Sequence, residues 1–403
     1  MDAEHLSAVK RGDIEAAHKP ISPALRSGPS AVSGATRQEQ IPSIEIISKD
    51  EIPLILESKP RDRLHYLDNF RAIAITTIIF GHCYSGWHRD TYWEQALSNA
   101  LTGGTALFVF ISGFFFHAVF RAQFDFRRFM RKKTLNVALP YLILTGLLLT
   151  AYYILSDKIW FPSDLDRYDL GNDLKILVNI LIGWHLTGYW YIPFVMLLFL
   201  ASPVVMAFTN LKHSWQAIIV VLLLTLSMLF HRPMLNINPV HSLVYFFPFY
   251  LSGAIYSQNR ITANLVLERI PAALSIAWLA TVLLMTNAGE VGNSHKWIPW
   301  DYTGIDWMVP QKMILIFLLI SLLLRYGSHR SAVMGTIASH SFPLFFIHPW
   351  VLLFFDFTNI TEILTGGLRG FLLLSAVVLT CSLLASALIR ASLRDNARYV
   401  IGA

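Results

Sequence analysis

The stretch RAIAITTIIFGHC, Arg71 to Cys83, decides the fold. It is apolar enough to enter a bilayer, yet an arginine opens it and a histidine follows eleven residues later. At ~100° per residue, eleven residues of helix make three turns plus about 20°. Arg71 and His82 therefore share one face, ~16 Å apart along the axis. Asp68 stands three residues before Arg71, within reach of an ion pair. Polar groups of this kind inside spans are rare and face the bundle interior or a wet cavity. Taken singly, Arg71 also reads as an anchor snorkelling to the helix end and His82 as a hydrogen-bonded interior histidine.

Outward from this stretch the pattern repeats. Of 403 residues, 54% are hydrophobic and only 14% charged, where a soluble domain carries about a quarter charged residues. Mean hydropathy is +0.50. Apolar segments fall at about 66–85, 99–120, 134–155, 189–208, 215–231, 241–257, 270–287, 309–325, 341–357 and 367–390. They predict an all-α polytopic membrane protein, a bundle of about ten transmembrane helices, each near the ~20 residues a crossing needs. A shorter segment, DLKILVNILIGWHL at 173–186, is too short to cross and is expected to lie at the interface or to re-enter.

Basic residues set the expected orientation, because Lys and Arg concentrate in cytoplasmic loops. The loop RAQFDFRRFMRKK carries Arg121, Arg127, Arg128, Arg131, Lys132 and Lys133, which places it inside. Counting crossings from there puts both termini in the cytoplasm, with Arg390, Arg394 and Arg398 inside. The net charge of +6 follows from these loops and gives no reason to expect nucleic acid. Residues 1–60 are polar with no apolar run and are expected to form a disordered cytoplasmic tail. A membrane domain over 61–390 and a short cytoplasmic tail over 391–403 complete the expected organisation.

The expected outer loops are acidic and aromatic. Trp297, Trp300 and Trp307, with Asp301 and Asp306, have the chemistry to stack and hydrogen-bond a sugar ring, though for any single Trp an interfacial aromatic belt is the commoner explanation. The two cysteines, Cys83 and Cys381, provide no disulfide framework. Cys83 adjoins His82, but neighbours on a helix point about 100° apart, which argues against a Cys–His pair. No His, Cys, Asp and Glu spacing suggests a zinc site, and none is expected.

Several motifs, taken in order, resemble the acyltransferase family 3 membrane proteins. The first is Leu67, Asp68, Arg71 and His82 in RLHYLDNFRAIAITTIIFGH. It is followed by Phe108, Phe110, Ser112, Gly113 and Phe114 in GGTALFVFISGFFF. Then come RKKTLNVALPY at 131–141, Tyr189 to Tyr191 after GWHLTG, FFPFYLSG at 246–253 and SFPLFFIHPW at 341–350. One departure concerns the basic loop. Arg128 and Arg131 have the family's Arg-x-x-Arg spacing but lie further from Pro140 than that pattern places them, so Lys132 and Lys133 share the role.

The resemblance implies an integral-membrane O-acyltransferase similar to bacterial surface-polysaccharide O-acetyltransferases, placed in the bacterial inner membrane. It would move an acyl group, usually acetyl, from cytoplasmic acyl-CoA, here acetyl-CoA, to a hydroxyl of a glycan or lipid-linked oligosaccharide. Membrane lipids and polysaccharide-assembly proteins are the other expected partners; no metal is expected. His82 is the expected general base, with Arg71 and Asp68 beside it in the catalytic set. Arg128, Arg131, Lys132 and Lys133 are expected to hold the CoA phosphates by charge-assisted hydrogen bonds. Ser112, Tyr189, Trp190 and His348 are the candidates for contacts with substrate or oxyanion, although Ser112 also reads as packing and His348 as a bundle hydrogen bond before Pro349. His117 and His185 read as positional. Direct attack by the acceptor is favoured over an acyl-histidine. The competing class is a transporter with Arg71 and His82 in its pathway; no inverted repeat links the two halves.

Overall fold

A computed structural model describes residues 64–84, 87–155, 171–293, 295–298, 303–327, 329, 331–364 and 366–402. The expected N-terminal tail lies outside the described residues, as do all of residues 156–170, Trp300 and Asp301. The described chain is helical apart from one two-residue strand pair. In chain order the first helices are α1 (His65–Gly81), α2 (Tyr92–Leu101), α3 (Gly104–Phe120), α4 (Phe126–Lys133), α5 (Leu139–Leu155) and α6 (Asn172–Ile182). Next come α7 (Tyr191–Leu200), α8 (Ser202–Thr209), α9 (His213–Phe230), α10 (Pro239–Gln258), α11 (Arg260–Leu267) and α12 (Pro271–Asn287). The last are α13 (Met308–Tyr326), α14 (Ala332–Ser339), α15 (Ser341–Phe357), α16 (Ile360–Leu364), α17 (Gly367–Leu393) and α18 (Ala397–Ile401).

This is a helical polytopic membrane protein. Five helices are long and apolar enough to cross a bilayer, and up to eight crossings result if each sharply bent pair counts as one. The bent pairs are α7–α8 at 53°, α11–α12 at 81° and α14–α15 at 76°. The two remaining expected spans correspond to α1 and α10. Both sit deep in the bundle and carry polar residues, among them Asn69, His241 and Ser252, that a lipid-facing helix avoids. Helix α6 is only 11 residues long, about 16 Å at 1.5 Å per residue, too short to cross, as its sequence suggests.

The centre of the bundle is the α3–α10 crossing, and glycine explains it. A Cβ on Gly113 would lie 2.0 Å from the Tyr250 carbonyl oxygen, and one on Gly253 2.0 Å from that of Phe110. Each helix thus meets the other's backbone through a missing side chain, the close approach that small residues permit between membrane helices. The glycines of the SGFFF and FYLSG motifs are explained by this contact.

Helix ends are closed by side chains. Thr91 and Glu94 form a reciprocal capping box at the start of α2. At its other end, buried Lys312 of α13 places Nζ 3.1 Å from the Ala100 carbonyl and 3.4 Å from that of Asn99, a side-chain donor that serves the last carbonyls of the helix. Asn99 donates to Thr286 Oγ1 and the Glu290 carbonyl and accepts from the Gly292 N–H. These bonds fix α2 against α12 and the loop after it. In that loop β2 (His295–Lys296) runs parallel to β1 (Arg232–Pro233), Arg232 pairing with His295. Past α17 the chain turns back as α18, burying Ala397 and Ile401.

Candidate active site

Arg71 and His82 belong to two different cavities. Arg71, in the middle of α1, lines a 490 Å³ cavity with Ser112, Lys132, Lys133, Ser341 and Arg398, against a wall of phenylalanines. His82 is the residue that ends α1. It lines a 480 Å³ cavity with His185, Trp190, Arg232, Asn236 and His295, while Asp356 adds a carboxylate. Among the described residues none lines both.

An aromatic partition stands between them. Phe108 and Tyr191 line the Arg71 cavity; Phe345 stacks on Phe108, ring centroids 6.5 Å apart, and meets Tyr191 at a tilt, 5.1 Å away. Phe345 lies 6.2 Å from His348, and His348 lies 5.4 Å from His82. The face shared by Arg71 and His82 therefore runs from one cavity, past this partition, to the other.

In the first cavity the Arg71 guanidinium donates to Ser341 Oγ at 2.8 Å, approaches Asp68 at 3.9 Å and lies over the Phe115 ring at 5.6 Å. Lys133 reaches in with Nζ 4.5 Å from the Phe199 ring centroid, a cation–π contact with its stem on apolar surface. Immediately after α4 the chain makes one π-helical turn, Thr134–Ala138. That turn brings Asn136 and Val137 to the cavity wall, a use of π-bulges common at functional sites. Arg128 and Arg131 are exposed on α4 and do not line this cavity. Asp68 lines a separate polar cleft with His65, Asn69 and Ser331.

In the second cavity Thr187 Oγ1 and His82 Nδ1 are 3.0 Å apart. With Nδ1 carrying the proton toward Thr187, Nε2 is an open base. That nitrogen lies 3.5 Å from the position a Cβ on Gly188 would take, and His348 Nε2 lies 3.7 Å from the same point. His348 is fully buried; its Nδ1 meets the Leu344 carbonyl at 2.9 Å, and its Nε2 has no partner. The geometry offers a proton acceptor beside a chamber large enough for a sugar-sized molecule.

The oxyanion candidates fare differently. Tyr189 is buried, and its hydroxyl donates to the Phe346 carbonyl at 3.2 Å while accepting from Trp350 Nε1 at 2.9 Å. It ties α15 to the turn before α7 and does not line either cavity. Ser112 donates to the Phe108 carbonyl at 2.8 Å and lines the cavity away from His82. Trp190 does line the His82 cavity, under the Arg232 guanidinium at 5.0 Å. Cys83 donates to the Ile79 carbonyl, and His117 meets Ser257. Asp306, read from sequence as a sugar contact, is instead fully buried and accepts from the Tyr245 hydroxyl and the Met308 N–H. Burial raises its carboxyl to about 6.

Sequence reasoning misses Arg232 and His295. They are sixty-three positions apart, and only the β1–β2 pairing joins them. Burial lowers the His295 ring to about 3, with the neighbouring Arg232 charge adding to the effect. Arg232 itself is drawn to about 10 by burial and stays cationic at neutral pH.

No curated protein and no solved structure matches the chain. An acyltransferase-domain family model matches residues 64–389, the whole helical bundle from α1 nearly to the end of α17. With that match over most of its length, and with Asp68, Arg71 and His82 along α1 and the Ser112–Phe114 motif on α3, the chain belongs to the acyltransferase family 3 membrane proteins.

Proposed function

We propose that the protein transfers an acyl group, acetyl in the simplest case, from acyl-CoA on the cytoplasmic side to a hydroxyl of a glycan or lipid-linked oligosaccharide on the other side. The observation that carries this reading is the pair of separate cavities strung along α1, one basic and one holding His82. Arg71, Lys132 and Lys133 suit the phosphates of the donor, and the phenylalanine wall suits its pantetheine arm. Arg128 and Arg131, exposed beside them, act as outlying charge that draws an anion to the mouth. The basic flank of α4 supports a cytoplasmic position for this side, because Lys and Arg concentrate in cytoplasmic loops.

In the reaction the acceptor oxygen attacks the thioester carbon while His82 Nε2 takes the hydroxyl proton. The tetrahedral intermediate then expels the CoA thiolate, which takes the proton back from His82, leaving an ester and free thiol. His348 lines up behind His82, and Asp68 holds Arg71 in place.

The test supplies membranes with labelled acetyl-CoA and candidate glycan acceptors. Wild-type protein is expected to form a labelled, base-labile ester, and His82→Ala is expected to lose it by ~10²–10⁴-fold, the span a positioned base contributes. Translocation of a solute with no acyl product would sink the proposal in favour of a transporter. Wild-type acylation by His82→Ala would keep the transfer reading and overturn the role of His82 as its base.

A further inference from the structure

Resting on the reading just given, we infer that Arg232 is a catalytic residue of the same transfer, the cation that receives the negative charge growing on the thioester oxygen. Acyl transfer needs donors aimed at that oxygen. Ser112 and Tyr189, the residues sequence offers, have spent their hydroxyls on backbone carbonyls. Arg232 lines the cavity that holds His82.

Its burial calls for a reason. Arg232 is only 6% exposed, and among the described residues it forms no ion pair within 4.0 Å. Its Nε donates to Asn236 Oδ1, and its guanidinium lies over the rings of Trp190 and Phe246, at 5.0 and 5.4 Å. Asp306 contributes only a more distant attraction, since its oxygens are held by Tyr245 and Met308. A guanidinium taken out of water without a carboxylate is costly, and such residues inside membrane proteins mark functional sites.

The backbone that presents it is strained. His231, Leu235 and Asn236 all have left-handed φ, at 56°, 51° and 60°, in a loop that contains no glycine. Asparagine tolerates that region, but leucine and histidine do so at a cost of ~1–3 kcal/mol. Hydrogen bonds hold the strain in place: His231 Nε2 lies 2.9 Å from the Gly304 carbonyl, and His241 Nε2 lies 3.0 Å from the His231 carbonyl. The strained loop thus delivers Arg232 and the side chain that orients it to one wall. The planar fork of the guanidinium then has its unused N–H groups for an oxygen in the cavity.

The experiment measures acetyl transfer by Arg232→Lys, Arg232→Gln and Arg232→Ala, with kcat and both KM values separated. The expected result is a kcat lower by ~10²–10³-fold, the usual loss for an oxyanion donor, with KM for acyl-CoA unchanged. Lysine is expected to restore only part of the rate, because it lacks the fork. Millimolar guanidinium is expected to rescue Arg232→Ala and to leave wild type and His82→Ala unaffected, a response that a purely structural residue does not give. Three results overturn the inference: wild-type kcat in Arg232→Gln; a loss confined to acceptor KM, which would make Arg232 a ligand of an anionic acceptor; or activity that falls only in step with thermal stability, without rescue. Absence of any acyl product from the wild type is a different result and overturns the transfer reading itself.

Discussion

The ring of His82 lies 5.4 Å from the ring of His348, tilted by 33°, and Gly188 sits against both. This glycine has φ +79°, and a Cβ there would stand 3.5 Å from His82 Nε2 and 3.7 Å from His348 Nε2. Gly188→Ala is therefore expected to cost ~1–2 kcal/mol of backbone strain and to put a methyl beside the basic nitrogen. Acyl transfer is expected to fall at least tenfold while the protein still purifies as a folded species. Unchanged transfer would mean that His82 works through another direction.

Thr187 holds the opposite nitrogen of His82 at 3.0 Å, which makes it a positioning residue. Thr187→Val keeps the shape and removes the hydroxyl. We expect kcat to drop about tenfold with both KM values unchanged, a fraction of the ~10²–10⁴ a base supplies. Thr187→Ser is expected to restore the rate, which steady-state kinetics on the pair would check.

Tyr189→Phe separates stability from chemistry. The phenol hydroxyl serves Trp350 and the Phe346 carbonyl, so its loss strands buried partners at ~1–2 kcal/mol. Thermal unfolding in detergent is expected to shift down while kcat holds. A kcat loss of a hundredfold at full stability would return Tyr189 to the oxyanion role.

Gly253→Ala places a methyl 2.0 Å from the Phe110 carbonyl. Overpacking of this kind costs ~3 kcal/mol or more when a backbone must move, so expression of folded protein is expected to collapse. Gly146→Ala on α5 meets nothing within 4 Å and is expected to leave the melting curve in place. Equal behaviour of the two variants would contradict the crossing described here.

His295 gives a pH prediction. Burial and Arg232 lower its folded-state ring to about 3, against about 6.5 unfolded. The unfolded chain thus takes up the proton first. The stabilisation is complete above about pH 6.5 and is lost as pH falls toward 3. At pH 5 the loss reaches about 2 kcal/mol at most. His295→Gln is expected to flatten the acid limb of a stability-versus-pH curve measured by thermal unfolding; parallel limbs for mutant and wild type would rule this out.

Much of the fold is legible in the sequence because membrane helices announce themselves by length and apolarity. The shared face of Arg71 and His82 follows from helix geometry alone. Their separation into two cavities does not, because Phe108, Tyr191 and Phe345 come from three helices whose packing no local pattern encodes. Lys132 and Lys133 could be placed near the first cavity, whereas Arg398 reaches it only because α18 folds back. Arg232 stays hidden for the same reason: a short loop, left-handed residues and a partner strand far along the chain position it. Tyr189 shows the opposite error, a prominent motif residue whose hydroxyl turns out to be occupied.

Helix α15 carries Ser341, bonded to Arg71 in one cavity, then Phe345 in the partition, then His348 beside His82 and Pro349 in the wall of the other cavity. The 76° break before Ser341 starts α15 at the Arg71 contact, so one helix sets the spacing of all three stations: the basic cavity, the aromatic partition and the histidine pair.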